Sequence, residues 1–179
     1  MRLIKNKKCK ECGADFTPYK STQRVCSPKC ALIGAEKKTW IEKKKILVEN
    51  LRTRTEWLCI LQVVFNKYIR MRDSKQPCIS CDRPLGAKFD AGHYFSVGSY
   101  PNLRFDESNV HGQCVYCNQH QHGNHIEYGV RLPLRIGEYH YTRLMNKRGD
   151  ALKLTLDEIK GLIKYYKLKT KEHGKTTNT

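Results

Sequence analysis

Two Cys-x2-Cys pairs, Cys78/Cys81 and Cys114/Cys117, constrain this chain more than any other feature. Four thiolates at that spacing enclose a tetrahedral zinc ion, leave it no open position and tie the ends of the intervening loop together. Such an ion is a staple, not a catalyst. A second set, Cys9/Cys12 and Cys26/Cys30, predicts another structural zinc. Gly13, Phe16 and Pro18 between these pairs suit a knuckle turn and a short hairpin. Residues 1–34 hold no strong apolar run, so metal binding has to fold them; a structural zinc supplies about 10–16 kcal/mol. Of nine cysteines, two sets of four leave Cys59 over. Its place inside a predicted helix makes it a small buried hydrophobe.

The chain has 179 residues, 39% of them hydrophobic, which permits a modest core that needs cross-links. Lys and Arg number 34 against 17 acidic residues, a formal charge of +17. Zinc held by eight thiolates brings this to about +13. A field of that sign attracts polyanions, nucleic acid first. No apolar run approaches the length of a membrane span, and the N-terminus has no signal-peptide stretch. The expectation is a cytoplasmic protein that binds DNA and no membrane.

Three segments follow. Residues 1–34 read as a zinc module, and 35–54 as a basic helical linker, either a solvated helix or an arm tracking phosphates. Residues 55–179 hold the main domain. Thr55 to Arg72 predicts a helix with Thr55 as N-cap and Leu58, Leu61, Val64, Phe65, Tyr68 and Ile69 on one face. Lys67, Arg70 and Arg72 favour its dipole. Strands are expected over 88–95 and within 102–113, and a helix from Cys117 to Tyr128. Pro133 and Gly137 break the next stretch. Thr155-Leu-Asp-Glu158 predicts a capping box opening a last helix that buries Leu156, Ile159, Leu162, Ile163 and Tyr166. The tail from Lys169 reads as frayed.

The loop closed by the second cysteine set is richer than a structural ribbon requires. It holds Phe89-Asp-Ala-Gly-His93-Tyr94 and Ser108-Asn109-Val-His111; Asn118, Gln119, His120, His122, Asn124 and His125 follow. Hydrolysing a phosphodiester needs a base for water and a cation for the phosphate and leaving oxygen, held in line. A neutral imidazole suits the first task, and hard Asp and Asn oxygens suit Mg²⁺. Asp90, His93 and Asn118 supply this set. Blander readings stand beside it. Asp90 caps a turn with Gly92, and His111 braces the structure. His120, His122 and His125 face solvent or phosphate, with one of them near the metal. Arg104 either pairs with Asp106 or clamps a phosphate.

The order Cys-x2-Cys, Asp-x2-His, Asn-x-His, Cys-x2-Cys-Asn resembles the His-Asn-His nucleases of the ββα-metal fold. More narrowly, Gln76-Pro-Cys-Ile-Ser-Cys81, Asp90-Ala-Gly-His-Tyr94, Leu103-Arg-Phe105, Asn109-Val-His-Gly-Gln-Cys114 and Cys117-Asn-Gln-His120 resemble the phage NinG (Rap) recombination endonucleases. The match is specific over Gln76 to Asn124. The resemblance implies an α+β fold: a small ββα-metal nuclease core over 55–179 with flanking α-helices and an N-terminal zinc module. It implies a metal-dependent endonuclease acting on branched recombination intermediates, Holliday junctions and D-loops, in the host cytoplasm. His93 would be the general base, and Asp90 and Asn118 would hold a catalytic Mg²⁺ or Mn²⁺. Asn109 would be the central Asn that braces the loop between strand and helix. One departure stands out. The commoner pattern has an acid directly before the His; Gly92 stands there, and Asp90 lies two residues further back on the same strand face.

Two other functions share the charge and the zinc sites. A non-catalytic zinc-containing DNA-binding recombination accessory protein has no need of the Asp90–His93–Asn118 set. A sequence-specific restriction or homing nuclease needs a base-reading element, and no segment here reads as one. Symmetric cutting of a four-way junction calls for two active sites, so a homodimer is expected, with the 55–72 helix as its candidate face if that helix is not core.

Overall fold

The computed structural model describes residues 5–149 and 151–176. Contacts divide the chain into two units, Met1–Arg52 and Thr53–Thr179. In the first, strands β1 (Lys7–Lys8) and β2 (Asp15–Phe16) pair antiparallel around the first cysteine turn. Helix α1 (Pro28–Leu51) follows. The Ser27 hydroxyl accepts from the Cys30 amide, and Pro28 fills a first-turn position where its missing N–H costs nothing. Only Cys30 of this helix is buried. The boundary expected at residue 34 therefore falls inside one continuous helix, because the Ser27-Pro28 start lies between the two ligands of the second pair. Beyond it, the expected linker is the exposed body of α1.

The second unit opens on α2 (Arg54–Arg72). Its N-cap is Thr53, two residues earlier than expected, because Glu56 completes a reciprocal capping box with Thr53 and Thr55 has no such partner. Trp57, Leu58, Leu61, Phe65, Tyr68 and Ile69 form the buried face. They pack on Ile159, Ile163 and Tyr166 of α5 (Leu156–Thr176), with Val110 beneath. The apolar side of α2 is thus core within the chain. Cys59 lies off that stripe and is exposed, which corrects its reading as a buried hydrophobe.

Strands β3 (Phe89–His93) and β4 (Val110–Cys114) pair antiparallel, Asp90 opposite Gln113 and Gly92 opposite His111. After β4 the chain makes a π-helical turn, Tyr116–His120, then stops. The Gly123 amide donates to the Asn118 carbonyl at 3.1 Å as well as to that of Cys117 at 2.9 Å, and His122, Gly123 and Asn124 all have positive φ. This is a Schellman-type ending, so the helix expected over 117–128 is two pieces. The second is α3 (His125–Ile136). Pro133 sits inside α3 without ending it; Gly137, at φ 80°, does the breaking and starts α4 (Glu138–Asn146). Tyr128, Leu132 and Leu144 pack with Ile79, Phe95 and Leu103 into a second apolar cluster.

The Thr155–Glu158 capping box forms as expected, and Ile159, Ile163 and Tyr166 are buried while Leu156 stays exposed. Lys169 is not part of a frayed tail. It lies in α5 and pairs with Glu107 at 2.9 Å. No helix of the described residues is long and apolar enough to cross a membrane.

Candidate metal centres and active site

Both expected cysteine sets converge. Within each, all four Sγ atoms lie within 4.8 Å of one another. The Cys12–Cys26, Cys26–Cys30 and Cys81–Cys114 sulfurs are 3.6, 3.6 and 3.9 Å apart, the spacing of thiolates around one tetrahedral ion. None is in a disulfide. The two first pairs are built alike. The Cys9 amide donates to the Ala14 carbonyl and the Cys78 amide to the Arg83 carbonyl, each at 2.8 Å. Gly13 and Asp82 donate back to Cys9 and Cys78 at 3.0 Å with φ of 74° and 60°.

Crowding leaves the thiols unevenly protonated. Backbone amides, led by that of Cys12, draw Cys9 down to about 6, while hydrogen bonding to Cys12 and Cys30 pushes Cys26 up to about 12. Burial raises Cys81, but the Arg83 guanidinium at 3.4 Å outweighs it and brings the thiol to about 6; burial pushes Cys117 to about 12. A divalent ion removes this conflict by taking all four as thiolates. Both sets fit structural zinc.

The second clamp sets β4 and the π-helical turn against β3. There the Asp90 carboxylate accepts from Asn118 Nδ2 at 2.9 Å and from Gln119 Nε2 at 2.8 Å. Asp90 lies within β3, so its reading as a turn cap is overturned. Both donors use the same Asp90 oxygen, Oδ2. The other carboxylate oxygen and the Asn118 Oδ1 are hard donors suited to Mg²⁺.

Position 92 has no room for a side chain. A Cβ there would sit 2.1 Å from Gln113 Oε1. Gln113 is fixed: its Nε2 donates to Ser80 Oγ at 2.7 Å and to the Gly123 carbonyl at 2.6 Å. The Gly92 carbonyl accepts from the Tyr128 hydroxyl at 3.0 Å. The Gln113 carboxamide thus occupies the space that any side chain at position 92 would need.

His93 ends β3 and bonds neither Asp90 nor Asn118. Its Nε2 donates to the Arg104 carbonyl at 3.0 Å, which leaves Nδ1 as the unprotonated nitrogen. Burial, reinforced by the Arg104 charge, holds its pKa below the usual 6.5. Asn109 is fully buried; its Oδ1 accepts from the Phe95 amide at 2.8 Å, and its Nδ2 donates to the Phe95 and Leu103 carbonyls. It ties down the β3–β4 connection, not a strand–helix loop, and so fixes the segment that carries Arg104.

His111 is a brace. Arg72 donates to its Nδ1 at 3.1 Å, and its Nε2 donates to the Ser108 carbonyl at 3.2 Å. Burial and the Arg72 charge push its pKa down to about 4. It is therefore neutral, and its 3.7 Å approach to Asp73 is not a charge pair. His120 and His122 are exposed. His125 stacks on Tyr94, with ring centroids 4.4 Å apart, and bonds the Tyr94 carbonyl at 2.8 Å. Arg104 does not pair with Asp106. Its Nε donates to Gln62 at 2.7 Å, while Lys147 and Arg143 approach Asp106 at 3.4 and 3.8 Å.

Sequence reading missed three parts of this region. Gln119 is the second donor to Asp90. Gln62 reaches Arg104 across 42 residues. Arg72, read as a helix-dipole partner, grips Asp73 and the Glu107 and Val110 carbonyls. Only Gln119, directly after Asn118, carried a local signal.

The model of the bacteriophage lambda NinG protein family matches residues 1–176. Protein ninG of Escherichia phage lambda is 36% identical over 192 aligned residues, covering 96% of this chain and 92% of the relative. Protein ninG of Salmonella phage P22 is 38% identical over 157, with 76% of each chain covered. That of Enterobacteria phage H19B is 42% identical over 153, covering 74% of this chain and 76% of the relative. No solved structure matches the chain significantly. With nearly its whole length matched, the chain belongs to the NinG family of phage proteins.

Proposed function

We propose that this protein is a metal-dependent endonuclease of the His-Asn-His, ββα-metal class that cuts branched DNA recombination intermediates in the host cytoplasm. One observation carries the reading: the four-cysteine clamp packs a turn bearing Asn118 onto the strand bearing Asp90, and a histidine of fixed tautomer ends that same strand. In this reading β3, β4 and the short π-helical turn stand for the nuclease core. A purely structural ribbon needs neither the oxygen pair nor a half-buried neutral imidazole.

Asp90 and Asn118 would hold Mg²⁺ or Mn²⁺ through their oxygens. Such an ion, when bound, would supply positive charge to offset that of the phosphate. His93 takes a proton from water at Nδ1; the water oxygen attacks phosphorus, and the bond to the leaving sugar oxygen breaks. Asn109 keeps the loop behind His93 in place. The +17 formal charge and the lysines of α1 favour binding of the DNA backbone without sequence readout. Two copies acting together would cut a junction symmetrically.

The test is cleavage of a labelled four-way junction, a D-loop and plain duplex, with Mg²⁺ and with EDTA. The reading expects Mg²⁺-dependent cutting of the branched substrates. Binding of all three with cutting of none would instead favour a zinc-containing DNA-binding accessory protein.

A further inference from the structure

We propose that the Arg104 guanidinium grips the non-bridging oxygens of the phosphate that His93-activated water attacks. The inference rests on the nuclease reading and adds the phosphate contact that reading leaves unassigned. Arg104 is held at both its backbone and its side chain. Its carbonyl accepts a hydrogen bond from His93 Nε2 at 3.0 Å. Its side chain is held separately, with Nε donating to Gln62 Oε1 at 2.7 Å. Gln62 is itself locked on α2, its Nε2 donating to Asn66 Oδ1 at 2.6 Å. The guanidinium also lies over the Phe105 ring, 5.2 Å from the centroid, and Phe105 packs edge-on against buried Phe65.

This fixing leaves the working end open. Among the described residues, no hydrogen bond or ion pair reaches the two terminal nitrogens of Arg104. The nearest acids in sequence are already used: Asp106 by Lys147 and the Ser108 amide, Glu107 by Lys169 and Tyr68. An ordinary solvated arginine keeps its rotamer freedom. Here a stacked, half-buried guanidinium is pinned at one edge with no acid to neutralise it. Two free, coplanar N–H groups on a fixed fork match two phosphate oxygens. The charge also reaches the base: it lowers the His93 pKa, opposing the larger upward pull of the hydrogen bond to the Arg104 carbonyl. One residue thus sets the tautomer of the base through its backbone and meets the substrate through its side chain. Gln62 is the positioning residue.

The separation of backbone and side chain makes the test clean, because Arg104→Ala keeps the carbonyl that orients His93. Single-turnover cleavage of a four-way junction is measured for wild type, Arg104→Ala, Arg104→Lys, Gln62→Leu and His93→Ala, with and without millimolar guanidinium. Arg104→Ala should lose about 100-fold in rate with its junction affinity changed less than about fivefold. Added guanidinium should restore part of that loss and none of the loss in His93→Ala. Arg104→Lys should recover only partly, lacking the fork. Gln62→Leu should lose about tenfold in rate. Wild-type cutting by Arg104→Ala overturns the inference alone. So does a loss that guanidinium does not rescue although the circular dichroism spectrum matches that of wild type. Absence of cutting by wild type overturns the nuclease reading and this inference with it.

Discussion

The two cysteine clusters begin with the same turn and end in different surroundings. Cys9–Cys12 and Cys78–Cys81 share their backbone bonds almost atom for atom. Around the first, Cys9, Pro18 and Cys30 are the buried residues among 5–52, and the hairpin has two residues per strand. Around the second stand two apolar clusters anchored by Phe65 and Tyr128. A staple with no core beside it has to supply the fold; a staple beside a core needs only to position what it holds.

Removing zinc with a strong chelator should break this comparison most visibly. Residues 5–52 should lose amide protection altogether, a change on the order of 10 kcal/mol. Residues of α2 and α5 should keep most of theirs. Hydrogen exchange resolves the two, and simultaneous loss in both units would sink the distinction. The converse is Phe65→Ala, which removes a fully buried ring packed against Phe105 and Tyr166. It should cost about 3–5 kcal/mol in the second unit and leave zinc binding by the first unchanged. Denaturant melts with a zinc titration measure both.

Acid should act on the second unit through a buried histidine as well as through its thiolates. The folded-state pKa of His111 is about 4 against an ordinary 6.5. The unfolded chain therefore binds its proton first. Stability is fully present above pH 6.5 and falls as the pH drops toward 4, by about 3 kcal/mol from this group. His111→Gln should flatten that slope. The smallest effect sharpens the site itself. Gly92→Asp restores the commoner pattern but collides with Gln113, at a cost of about 1–3 kcal/mol. Adding Gln113→Ala should recover part of that stability in thermal melts.

The features legible in sequence were those written locally. Ligand spacing at Cys78/Cys81 and Cys114/Cys117 is a chemical demand on neighbouring residues, and both knuckles appear where expected. The Thr155–Glu158 box is equally local. The expected helix over 117–128 failed because His122 and Asn124 adopt positive φ, a conformation their side chains do not advertise. Pro133 looked like a breaker, yet α3 runs through it. Cys59 was misplaced because one-residue offsets on a helix exchange core for solvent. The Arg104–Gln62 bond and the Arg72 network join distant segments, and nothing near Arg104 or Arg72 marks them.

The most direct measurement is the single-turnover rate of four-way-junction cleavage by wild type and His93→Ala, with both proteins carrying equal zinc and binding the junction equally. The account predicts Mg²⁺-dependent cutting by wild type, rising with pH to a plateau reached below that of an ordinary histidine, and a loss of about 100-fold or more in the variant. Equal rates from the two proteins, at matched zinc and binding, would contradict it.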